Sequence, residues 1–273
     1  MGGISSRFQE LKRDVDVCLE TWSGVIRESL GSRAIYAFAK GSAVKNWDTF
    51  MDYVPLVSDV DIHLKIADDA EFFPGEGAFE WAMGLSSRYE DGFREANPDN
   101  LHVPRTQLVI LNEIQKQDDY VPPMPREVRT MFGEPSVRQP QPPEVIRRID
   151  LERLREDGKM LGDLHRSVLD RTGLDLWVTI RQHLCWRVSP SPYRMLSQIF
   201  PDPLEVWSWN RSKVYSELLR RAFGEIANPY MSYYRSGWEL FDSGMTSYPA
   251  LREMVGLGYR VVLASLEAAE EMQ

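Results

Sequence analysis

The chain has few of the residues that stabilise a domain from outside its core. Its 273 residues include only two cysteines, Cys18 and Cys185, and four histidines. The cysteines are too few and too far apart for a disulfide framework or a cysteine zinc site. Positive charge is also short. The 32 Lys and Arg against 41 Asp and Glu leave a net charge of −9, which excludes an extended nucleic-acid surface of clustered cations but allows a local basic pocket. No apolar run approaches the length of a membrane span, and nothing at the N-terminus has the form of a signal peptide. The expectation is therefore a cytoplasmic protein with no membrane partner. What is present suits a packed core: 43% of residues are hydrophobic and 11% aromatic, in a length that fits one large domain or two ordinary ones.

Periodicity divides the chain into two halves of different character. Phe8, Leu11, Val15, Cys18, Leu19, Trp22, Val25, Ile26 and Leu30 recur at three- and four-residue steps and predict an amphipathic helix ending at Gly31. A β-like run, Ala34 to Ala39, follows and is closed by Lys40-Gly41-Ser42. Apolar residues at 60, 62, 64 and 66 alternate with polar ones and predict a strand over 59–66. Aromatic-rich helical material is expected around Ala78 to Ala96, and a third strand from Thr106 to Glu113. Seven prolines then fall between Pro122 and Pro143, where regular structure must be short or broken. Beyond them the chain reads as helices: Glu144–Asp170, Leu174–Val188, Pro203–Phe223 and Tyr248–Met272. The expected organisation is an α/β (α+β) domain with a small mixed sheet over 1–121, a Pro-rich interdomain segment over 122–143, and an all-α domain over 144–273.

Chemistry concentrates between Ala34 and Ile66. One strand delivers Gly41-Ser42 at its end, and the next carries Ser58-Asp59-Val60-Asp61. Residues i and i+2 of a strand share a face, so Asp59 and Asp61 project side by side. Two carboxylates so placed repel unless a cation lies between them, and hard oxygen ligands suit Mg²⁺. Glycine beside a serine offers N–H groups and a hydroxyl at close range to a phosphate. His63, on the same face, either borders this site or is a solvated histidine.

An apolar strand, Gly-Ser, and then Asp-x-Asp on the next strand resembles the signature of the nucleotidyltransferase superfamily with a polymerase-β-type core. The two-domain plan is most similar to the aminoglycoside (streptomycin/spectinomycin) adenylyltransferases. Met131-Phe132-Gly133-Glu134-Pro135 matches an apolar-Gly-x-Pro segment between their domains. The resemblance implies transfer of a nucleoside monophosphate, AMP from ATP, to a hydroxyl of a small molecule such as an aminoglycoside. It implies Asp59 and Asp61 as Mg²⁺ ligands and catalytic residues, with Gly41, Ser42, Ser58 and Lys213 binding the nucleotide. Arg211 is a further candidate for the triphosphate tail, and the role of Lys40 is left open.

Two features depart from the pattern. Ser42 and Asp59 lie 17 positions apart, longer than the motif usually has. The extra residues, around Trp47, Phe50, Met51 and Tyr53, are aromatic and imply an insertion that packs or lines the pocket. The third carboxylate of the family falls at Gln107, which can orient a hydroxyl but cannot take its proton. Glu113 replaces it only if the strand ends early or its register differs. Alternative readings are therefore a nucleotide-binding regulator without turnover and a nucleotidyltransferase that modifies a protein.

Overall fold

The computed structural model describes residues 2–68, 70–135 and 141–273, with side chains from residue 7 onward. Residues 136–140 of the Pro-rich segment lie outside the described residues. The chain combines a small four-stranded mixed sheet with mostly helical structure. It divides into two compact units. One comprises Met1–Val44 with Asp59–Arg138, and the other Lys45–Ser58 with Gln139–Gln273. Among the described residues no helix is long and apolar enough to cross a membrane.

The first unit runs α1 (Gly2–Leu30), β1 (Ala34–Lys40), β2 (Val60–Ile66), α2 (Ala78–Ala96), β3 (Thr106–Ile110), the single turn α3 (Leu111–Ile114) and β4 (Arg129–Phe132). Strand order is β3-β2-β1-β4. β2 pairs antiparallel with β1 and parallel with β3, the parallel pair requiring the long crossover that contains α2. The apolar stripe of α1 is buried as its periodicity requires, with Leu11, Val15, Cys18, Leu19 and Ile26 almost inaccessible. Trp22 stacks on Tyr89 of α2 with ring centroids 4.8 Å apart. Burial pushes the Cys18 thiol up to about 12, so this cysteine is a packing residue.

β4 is the strand that sequence periodicity does not reveal. Four residues ending in Met131-Phe132 pair with β1 inside the stretch read as an interdomain segment. Gly133 then turns with φ +67°, where a Cβ would sit 2.3 Å from the Ile35 carbonyl oxygen. Glycine is required here because the backbone crosses directly over β1.

The second unit is helical: α4 (Pro143–Asp170), α5 (Leu176–Thr179), a π-turn (Ile180–Leu184), α6 (Cys185–Val188), α7 (Ser191–Ser197), α8 (Pro203–Ser208), α9 (Arg211–Arg220), α10 (Gly224–Asp242) and α11 (Tyr248–Glu270). The expected helix over 203–223 is two, because Asn210 caps a new helix by accepting from Lys213 N–H. The sequence pattern does not predict α10.

The insertion after Ser42 is part of this helical unit. Met51, Tyr53, Val54 and Val57 are buried, Trp47 stacks on Tyr53 at 4.4 Å, and the Phe50 carbonyl accepts from Trp238 Nε1 at 2.7 Å. Asp52 fixes it most firmly. Its buried carboxylate accepts from Asp48 N and Thr49 N, each at 2.8 Å. It also accepts from Ser212 N at 2.8 Å and Ser212 Oγ at 2.9 Å. The acid thereby satisfies the first turn of α9, where a negative charge also meets the positive helix end.

Candidate active site

The ladder pairings place the candidate residues of the sheet unit in rows. Lys40, Asp61 and Gln107 are successive partners across β1, β2 and β3, and Phe38, His63 and Val109 form the next row. Side chains of one row share a face, so Lys40, left without a role in the sequence, stands beside Asp61. Asp59, immediately before β2, lies two positions back from Asp61 on the same side. Val60, Ile62 and Leu64 point the other way into the core.

Gly41 lets Asp61 sit where it does. Gly41 has φ +84°, and a Cβ there would lie 2.6 Å from Asp61 Oδ2. The carboxylate is thus packed against the backbone at the end of β1, where the chain turns with Val44 N donating to the Gly41 carbonyl. Only glycine provides both the left-handed backbone and the space. Ser42 follows directly in this turn.

Asp59 already has a cation beside it. Arg105 Nη2 donates to Asp59 Oδ2 at 2.5 Å, an interaction the sequence reading missed. The signal was present in the register: Arg105 precedes Gln107 by two residues, as Asp59 precedes Asp61. The backbone here is fixed, with Val60 N donating to the Arg105 carbonyl at 2.9 Å. Upstream, buried Asp14 of α1 accepts from Asn97 Nδ2, Leu101 N and His102 N, and lies 3.1 Å from His102 Nδ1. α1 thus anchors the loop that leads into β3 and sets the positions of Arg105 and Gln107.

Gln107 stands directly across from Asp61. β3 ends at Ile110, earlier than the expected Glu113, and α3 begins there. Asn112 of α3 bonds the backbone of Ile66, accepting from its N–H and donating to its carbonyl, both at 3.0 Å. Glu113, beside Asn112 in α3, therefore lies near the end of β2 opposite to Asp59. His63 is buried rather than solvated. It stacks on Phe38 at 5.2 Å. Burial, with the Lys40 charge beside it, lowers its pKa to about 3, so it stays neutral.

The remaining expected nucleotide ligands belong to the helical unit. Ser58 is buried, and its hydroxyl accepts from Val54 N and Arg211 Nη1, both at 2.9 Å. Arg211 is also buried, donating to the Met51 carbonyl and lying over the Tyr234 ring at 4.4 Å. These two groups are engaged in holding the insertion to α9. Lys213 pairs with Glu217 at 3.0 Å and remains half exposed.

The donor set near Gly41 is two carboxylates and a carboxamide, hard oxygens of the kind Mg²⁺ takes. Among the described residues no group of three or more His, Cys, Asp or Glu is placed to hold a metal ion. Two carboxylates and a carboxamide would leave most of such an ion's shell to water and substrate oxygens. No family model, curated protein or solved structure matches this chain.

Proposed function

We propose that this corner of the sheet binds a metal–nucleoside triphosphate and that the protein is a nucleotidyltransferase. In this reading a nucleoside monophosphate, AMP from ATP, passes to a hydroxyl of a small acceptor, with aminoglycosides the first class to try. The observation that carries it is Asp61 packed on the left-handed Gly41, with Asp59 two residues away on the same face. That arrangement sets the Asp61 carboxylate against a Gly-Ser turn, a backbone conformation of the kind that binds phosphate through its N–H groups. Asp59 and Asp61 would hold Mg²⁺, which supplies neutralisation of the phosphate charge. Gly41 and Ser42 present N–H and hydroxyl donors to the triphosphate, and Lys40 adds positive charge in the Asp61 row. The acceptor oxygen bonds to the α-phosphorus as the bond to the β-phosphate bridge breaks, releasing pyrophosphate. Gln107 orients the acceptor hydroxyl, whose proton goes to solvent.

A regulator that binds nucleotide without turnover is the second reading. It is favoured by a carboxamide facing Asp61 where a proton-accepting carboxylate is expected. Incubation with ATP labelled on the α-phosphate, Mg²⁺ and a panel of hydroxylated small molecules separates the two. Transfer of label that disappears in Asp59→Ala and Asp61→Ala supports the enzyme. Metal-dependent ATP binding without transfer to any acceptor supports the regulator.

A further inference from the structure

We infer that Arg105 is a built-in counter-ion that occupies Asp59 until a metal–polyphosphate complex arrives, and then turns its charge to that complex. The inference rests on the metal–triphosphate reading above and adds how the site is filled. Three observations carry it. The guanidinium takes Asp59 Oδ2 at 2.5 Å, so a metal ion at Asp59 meets the arginine's positive charge there. The pair is open to solvent, Arg105 by 35% and Asp59 by 24%, so it can separate without unpacking the core. Arg105 Nε is buried with no hydrogen-bond partner, which leaves the guanidinium an unused donor. Its backbone is meanwhile held by Val60, so the change is confined to the side chain.

A bare divalent cation is repelled by the guanidinium at Asp59 and offers it nothing in return. A cation carrying a polyphosphate brings anionic oxygens that accept from the released arginine, a strong and geometrically suited pairing. Metal and triphosphate should therefore bind with positive coupling, each tightening the other by the same factor. Arg105 is a positioning and binding residue in this scheme and takes no part in bond making.

The test uses the full chain, Mn²⁺ followed by the EPR signal of the free ion, and an ATP analogue with an α,β-methylene bridge followed by calorimetry. The unsubstituted protein should bind Mn²⁺ weakly alone and about tenfold more tightly with the analogue present, a coupling of ordinary size. Arg105→Gln should bind Mn²⁺ alone more tightly, bind the analogue with Mn²⁺ less tightly, and lose most of the coupling. Arg105→Lys keeps the charge and should fall between the two; it gives the same readout if the glutamine variant misfolds. Should the unsubstituted protein bind both ligands while Arg105→Gln leaves Mn²⁺ affinity unchanged or weaker, the arginine inference is overturned and the site reading stands. If the unsubstituted protein binds neither Mn²⁺ nor the analogue, both are overturned.

Discussion

Gln107 lies directly across the parallel β2–β3 ladder from Asp61. On the nucleotidyltransferase reading proposed above, position 107 is where a third acid would meet the first two. Replacement Gln107→Glu puts a like charge beside Asp61, which should cost up to about 1 kcal/mol of stability without metal. Mg²⁺ should restore that loss, and transfer of label from ATP should rise. Denaturant melts with and without Mg²⁺, run beside the transfer assay, check both. An unchanged rate would show that position 107 does not face the reacting hydroxyl.

Gly41→Ala tests the turn itself. The new Cβ meets Asp61 Oδ2 at 2.6 Å in a backbone with φ +84°, so the expected destabilisation is about 1–3 kcal/mol. Triphosphate binding should fall as well, because Asp61 must move. A variant that melts earlier but binds nucleotide normally would separate Gly41 from the site.

Asp52→Ala probes the insertion. Four donors lose one buried acceptor, two of them on Ser212 at the start of α9. Charged hydrogen bonds of this kind predict a loss of about 3 kcal/mol or more. The denaturation midpoint measures it, and a change below about 1 kcal/mol would contradict the geometry.

The helical unit should carry a pH dependence through Asp150. Burial raises its carboxyl to about 6, against hydrogen bonds from Ser197 and Trp207 and the charges of Arg194 and Arg153, which act downward. The folded state thus holds the proton more tightly than the unfolded chain. Its stabilising contribution is complete below the ordinary aspartate range and is lost as pH rises to about 6 and beyond. The loss is on the order of 2–3 kcal/mol. Asp150→Asn, melted across that window, should show a flatter profile than the unsubstituted protein.

Local pattern was enough to find the elements that position the site. The 3.6-residue stripe of α1 and the alternation of β2 are each set by one buried face, so they are visible in the chain itself. Asp59 and Asp61 fall together because short-range strand periodicity orders them, while Gly41 and Gln107 come to them through the β1–β2 and β2–β3 registers. What could not be read locally depends on partners far away in sequence. β4 is four residues long and is a strand only through β1. Arg105 acquires meaning only from the β2–β3 register. Ser58 precedes the Asp-x-Asp strand and looked like part of the site, yet Arg211, 153 residues on, takes its hydroxyl. The 45–58 insertion was legible as an aromatic packing segment, but the unit it packs into was not, since that is decided by Asp52 meeting Ser212.

The central claim is that Asp59 and Asp61 beside Gly41 bind a triphosphate through a metal ion. Calorimetric titration with the α,β-methylene ATP analogue, with Mg²⁺ and with the ion removed by EDTA, tests it most directly. Binding should require Mg²⁺ and disappear in Asp61→Asn, while the variant retains the far-ultraviolet circular dichroism of the unsubstituted protein. Binding that ignores both Mg²⁺ and Asp61→Asn, or no binding at all, would contradict the account.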